Sequence, residues 1–159
     1  MDAQLAVDAI IGVHINSAPD LKLLMQCIDS IVDANARFRE LCIGLSCKEE
    51  MYDRVKMLIH LKFARKGVPD TQWRLSMHRG GQSQFANIKR CTNLMKTSGR
   101  PAPDFVVTSD GDDIWSSTRA SFMTESSCRR RAPRMGIRLL CLVECDSARP
   151  NLGRFVIEV

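Results

Sequence analysis

Apolar and polar residues fall into two alternating periods along this chain. Short, nearly continuous apolar runs predict buried strands, and 3.6-residue stripes between them predict helices. Ile10–Ile15 reads as a first buried strand. Ser17-Ala-Pro-Asp20 then has the form of a helix start, with Ser17 as cap and Asp20 three residues on. Leu21, Leu24, Met25, Ile28, Ile31 and Val32 follow at helical spacing, which predicts one apolar face against a sheet.

The alternation repeats. Leu41–Leu45 is a second strand, and Ser46 is placed to cap a helix whose first turn holds Glu49 and Glu50. Met51, Val55, Leu58 and Ile59 supply that helix's buried stripe, and Gly67 with Pro69 ends it. Trp73–Met77 alternates as a third strand, and Gly80-Gly81 forms a turn. Phe85, Ile88, Thr92 and Met95 define a third helix that ends near Gly99. Pro101-Ala-Pro103 leads into a fourth strand, and two later runs, 137–143 and 155–159, can be further strands. Strands alternating with helices predict an α/β three-layer sandwich with a mainly parallel sheet and right-handed crossovers.

Composition narrows the classes. The chain has 159 residues, 45% apolar and 26% charged, enough for one core. No apolar run approaches the roughly 20 residues of a membrane span, and the start lacks the basic and apolar stretches of a secretory signal. A cytoplasmic protein without a transmembrane segment is expected. The seven cysteines (27, 42, 47, 91, 128, 141, 145) include no CxxC pair, so reduced core thiols are expected. Net charge is +5, unevenly spread: residues 1–113 carry 15 basic and 14 acidic side chains, residues 114–159 carry 8 and 4, the basic ones all Arg. Arg129-Arg-Arg131 with Arg134 can grip phosphate, yet no stacking aromatics accompany it, and no nucleic-acid partner is expected. The charge shift marks a different module or a sequence under different constraint.

The candidate chemistry lies where the fourth strand stops. Asp104-Phe-Val-Val-Thr-Ser-Asp110-Gly-Asp112-Asp113-Ile-Trp115 ends an apolar, β-branched run in three carboxylates within four residues. Alternation along a strand lets Asp110 and Asp112 face one ligand, and Gly111 permits close approach or an unusual backbone angle. Clustered carboxylates repel, and Mg²⁺ or Mn²⁺ relieves the repulsion when phosphate oxygens complete its shell. An acidic turn capping a following helix is the plainer alternative. The sequence contains neither a Walker phosphate loop nor a GxGxxG fingerprint. The Gly111-Asp112-Asp113 triplet of a template-dependent polymerase would require a second Asp motif and a much longer chain.

Ser109-Asp110-Gly111-Asp112-Asp113-Ile114-Trp115, followed by Arg119, resembles the Asp-x-Asp region of family 2-like glycosyltransferases with the GT-A fold. Val13–Pro19, Cys27-Ile-Asp-Ser-Ile31 and Gly81-Gln-Ser-Gln-Phe-Ala-Asn87 stand in the corresponding order, so the resemblance covers about residues 10–123. It implies a Rossmann-like nucleotide-binding half, with residues 1–123 as a nucleotide-sugar-binding α/β domain and 124–159 as an Arg-rich diverged segment packing on it, and a UDP- or GDP-sugar donor. Asp110 would face the ribose, Asp112 would ligate Mn²⁺ or Mg²⁺ with Asp113 supporting that shell, and the loop Asn16, Ser17, Ala18 would approach the base. Gln82 and Asn87 would lie near the nucleotide or cap the surface, and Arg79 would meet phosphate or form a structural ion pair.

The chain departs from the family pattern twice. Ser46-Cys47-Lys48-Glu49 stands where an Asp-rich base-recognition motif is expected. About 46 residues follow Asp113 and hold no counterpart of an acceptor half with a general base; Glu144 and Asp146 are the paired acids there, or a surface turn. Two functions are therefore expected from the resemblance. One is metal-dependent transfer of a sugar to an unknown acceptor, with inversion. The other is a non-catalytic nucleotide-sugar-binding or interaction module.

Overall fold

The computed structural model describes residues 6–33, 38–103 and 105–114, together with the strand backbones at 138–140 and 156–158. It is an α/β three-layer sandwich. Strands β1 (Val7–Ile15), β2 (Glu40–Cys47), β3 (Trp73–Arg79), β4 (Phe105–Asp110), β5 (Arg138–Leu140) and β6 (Val156–Glu158) form one sheet in the order β3-β2-β1-β4-β5-β6. Every neighbouring pair is parallel except β5 and β6, which run antiparallel. The two last strands fall within the predicted runs 137–143 and 155–159. Of the described residues, no helix is long and apolar enough to cross a membrane.

Both faces of the central strands are covered, which is why β1 and β2 read as continuous apolar runs. Odd-numbered positions (Val7, Ala9, Ile11 and Ile15 of β1; Leu41, Ile43, Leu45 and Cys47 of β2) enter one core with helices α1 (Ala18–Asp33) and α2 (Tyr52–Arg65). Leu24, Cys27, Ile28, Val55, Ile59 and Phe63 are the helix side of that core, all 1% exposed or less. Each large side chain so buried contributes about 1.5–3 kcal/mol. Trp73, on the edge strand, stacks on Phe63 with ring centroids 4.2 Å apart, and His60 meets it edge-on. Both residues make packing contacts on this face.

The opposite face takes α3 (Gln84–Lys96) and is built on a different scale. Gly12 of β1 and Gly44 of β2 stand side by side in register, making a flat notch. A Cβ on Gly44 would lie 2.3 Å from the Asn87 carbonyl oxygen, and one on Gly12 would lie 2.6 Å from Ile88 Cγ1. The helix backbone therefore rests on the strands themselves. This explains a difference from the predicted helix face: Asn87 and Cys91 are the buried residues of α3, while Phe85 is 70% exposed. Ile10, Cys42, Cys91 and Val106 form the small core beneath it.

The helix ends follow local chemistry. Ser17 and Asp20 close the start of α1 as predicted, Ser17 Oγ donating to Asp20 Oδ2 at 2.9 Å. Helix α2 ends in a Schellman motif, with Gly67 at φ 67° and Val68 N–H donating to the Phe63 carbonyl. Ser46, expected to cap α2, does not. Strand β2 runs on through Cys47, Ser46 is fully buried, and α2 is entered through a 3-10 turn at Glu49–Met51 with no side-chain cap.

Candidate functional site at the carboxyl edge of the sheet

The chain steps from β1 to β2 to β3 in one direction and then crosses back to the other side of β1 to make β4. The crossover helix α3 lies on the opposite face from α1 and α2, as right-handed connections require. The strand order therefore reverses between β1 and β4, and open α/β sheets take their ligands outside the carboxyl ends at such a point. Both sequence-predicted segments leave the sheet at this edge: Asn16, Ser17 and Ala18 follow β1, and Asp110–Asp113 end β4.

The edge is stepped. β4 ends with Asp110 opposite Gly12, whereas β1 and β2 continue to the Ile15–Cys47 pair and β3 to Arg79. At roughly 3.3 Å per residue, the acidic turn sits about 10 Å below its neighbour's end.

The turn itself is closed by its own side chains. Asp113 N–H donates to the Asp110 carbonyl. The Asp113 carboxylate folds back to accept from Ser109 Oγ at 2.8 Å and from the Asp110 N–H at 3.1 Å. Gly111 is buried because the turn lies against Val13, whose Cγ2 would be 2.5 Å from an added Cβ. Close approach is thus to a neighbouring strand. Strand alternation stops at Asp110, so it is the turn, not the pleat, that sets the direction of Asp112. Asp112 is exposed and makes no hydrogen bond with any described residue, while Asp110 accepts from the Gln84 side-chain amide on the first turn of α3.

Beside the β1 end lies a polar network that the sequence did not reveal. His14 bridges Ser46 Oγ through Nδ1 and Asn16 Oδ1 through Nε2, each at 2.8 Å. Because the Asn16 oxygen only accepts, Nε2 is the donor in that bond, while Ser46 Oγ also reaches the Gln82 carbonyl at 3.3 Å. Asn87 Nδ2 donates to the Val13 carbonyl at 2.6 Å and to Ser46 Oγ at 3.1 Å, and Arg90 donates back to Asn87 Oδ1. Asn87 is fully buried, so it ties α3 to two strands instead of capping the surface. The signal available in the sequence was the register of three polar residues (His14, Ser46 and Asn87) with the apolar elements around them. Neither strand periodicity nor motif spacing weighs such a register.

Charges near the edge are tied locally. Asp20 also accepts from the Asn16 N–H, and the hydrogen bond from Ser17 leads in holding its carboxyl below the ordinary 3.8. Arg79 pairs with Glu49 and lies over the Tyr52 ring at 4.2 Å, the structural ion pair rather than a phosphate contact. Cys27, Cys42, Cys47 and Cys91 are buried free thiols, as expected of core cysteines. Burial pushes the Cys47 thiol up, and hydrogen bonding with Cys42 together with burial pushes up Cys91. Trp115, Arg119, the Arg129–Arg134 cluster, Glu144 and Asp146 lie outside the described residues.

Among the described residues no group of three or more His, Cys, Asp or Glu side chains is placed to hold a metal ion. The carboxylates at the β4 turn are hard oxygen donors, and Mg²⁺ commonly takes one or two of these with substrate phosphates. Asp112 is exposed at that turn and is one such donor, while the Asp113 carboxylate is engaged by Ser109 and the Asp110 N–H. No family model, curated protein or solved structure matches this chain in comparison, so the site rests on its own geometry and chemistry.

Proposed function

We propose that this chain binds a nucleotide-sugar donor and a divalent metal at the β1–β4 edge, as a glycosyltransferase acting by inversion. The observation that carries the reading is the acidic turn at the reversal of strand order, set one step below the β1 end. In this reading the loop Asn16, Ser17, Ala18 meets the base and Asp110 meets the ribose. Asp112 takes Mn²⁺ or Mg²⁺, and Asp113 keeps the turn closed so that Asp112 is presented outward. When bound, the metal neutralises the diphosphate and makes the nucleoside diphosphate a better leaving group. The acceptor hydroxyl forms the new bond to the anomeric carbon as the bond to the diphosphate oxygen breaks. The hydroxyl proton passes to a general base, which the sequence leaves unassigned.

A binding-only module is the second reading. It is supported by the engagement of Asp110 and Asp113 in local hydrogen bonds, which leaves Asp112 as the carboxylate without one. Thermal unfolding with UDP or GDP, with and without Mn²⁺, tests the donor site. A metal-dependent rise in Tm that disappears in Asp112→Ala is expected, since a ligand stabilises only the state that binds it. No such rise with either nucleotide would overturn both readings. Release of nucleoside diphosphate from a UDP- or GDP-sugar separates them, because a binding module raises Tm without turnover.

A further inference from the structure

The opposite edge of the sheet holds a cavity of about 180 Å³, between the end of α3 and the amino ends of β1, β2 and β4. It is larger than the ~150 Å³ engineered cavity that admits benzene. Its wall includes Asp8 and Glu40, which are 0% and 2% exposed, yet both are already engaged. Arg39 grips Asp8 through Nε at 3.0 Å and NH2 at 2.6 Å, and its NH1 donates to the Pro101 carbonyl. Arg74 and Arg100 pair with Glu40, and Arg100 also donates to the Thr71 carbonyl. The hydroxyls of Thr92 and Ser98 donate to carbonyls of α3.

What the cavity offers a visitor is therefore mainly hydrocarbon: Ile10, Met95, Val106, Pro101 and Pro103. The exception is Lys96, which also lines it, is exposed, and has no hydrogen-bond or ion-pair partner among the described residues. Two carboxylates matched by three guanidiniums, with that ammonium added, leave the surroundings net positive. Size, apolar walls and one unspent cation together define a ligand class.

We propose that this cavity is a second ligand site, for a compact apolar molecule bearing one carboxylate, of the size of benzoate. The site is separate from the carboxyl-edge site and independent of the donor reading. Its test is a titration of the full chain, labelled at Met and Ile methyls, with benzoate and separately with toluene. Benzoate is expected to shift the Met95 and Ile10 methyls saturably, leaving Met57, on α2 across the sheet, unmoved. Lys96→Met should weaken benzoate about tenfold and leave toluene unchanged, the signature of a single ion pair. Thr92→Phe, which fills the cavity from α3, should abolish both. Absence of saturable benzoate shifts, or equal benzoate affinity in Lys96→Met, overturns the proposal. Lys96 is exposed, so that variant decides the matter even if Thr92→Phe fails to fold.

Discussion

The two edges of the sheet use the same residue type in opposite ways. At the amino edge, Asp8 and Glu40 are buried at the starts of β1 and β2 and are matched by Arg39, Arg74 and Arg100 from surrounding segments. At the carboxyl edge, Asp113 is spent on closing a turn and Asp112 is left exposed. Taking a carboxylate out of water is tolerated only with partners, so buried acids come with their arginines. An acid left in water at a strand end carries no such cost and stays available to a ligand. Burial and pairing, not the presence of Asp or Glu, separate structural from candidate functional carboxylates here.

The largest test of that contrast is Glu40→Ala, which strands Arg74 and Arg100 against a buried edge. A loss of about 3 kcal/mol in denaturant unfolding is expected; a change below 1 kcal/mol would mean that the pairs contribute little. Asp113→Ala removes the acceptor for Ser109 Oγ and the Asp110 N–H, and should cost about 1–2 kcal/mol. If the turn exists to present Asp112, the same variant also weakens the Mn²⁺-dependent nucleotide effect.

Asp20 gives the comparison a pH axis. Its folded pKa lies below the ordinary 3.8, so its contribution is present above that value and is lost as pH falls through the folded pKa. Asp20→Asn should therefore lower Tm at pH 7, by the equivalent of roughly 1 kcal/mol or less, and the gap to the parent should close below about pH 3.8. A gap that persists unchanged at low pH would exclude the charge as its source. The smallest expected effect on stability is that of Asp112→Ala, within about 0.5 kcal/mol. A larger loss would show Asp112 to be structural and would erase the difference between the edges.

The fold was readable because its signals are local. Ser17 and Asp20 at one helix end, Gly67 at another, and the Leu21–Ile31 stripe each follow from a few neighbouring residues. The acidic turn was readable for the same reason, being one continuous run. Ser46 and Phe85 were misread because each has locally plausible chemistry that a distant partner overrides. Ser46 is drawn into a buried network with His14 and Asn87, and Phe85 is turned outward because the Gly12–Gly44 notch sets the rotation of α3.

By itself, then, the sequence determined the order of strands and helices, the three-layer class and the position of the acid cluster. These depend on periodicity, caps and turn residues close together in the chain. Only the tertiary structure decided which acids are paired, that β4 stops opposite Gly12, and that His14, Ser46 and Asn87 share one network. Those outcomes depend on register between strands 30 or more residues apart, where one residue of slip exchanges the two faces of the sheet.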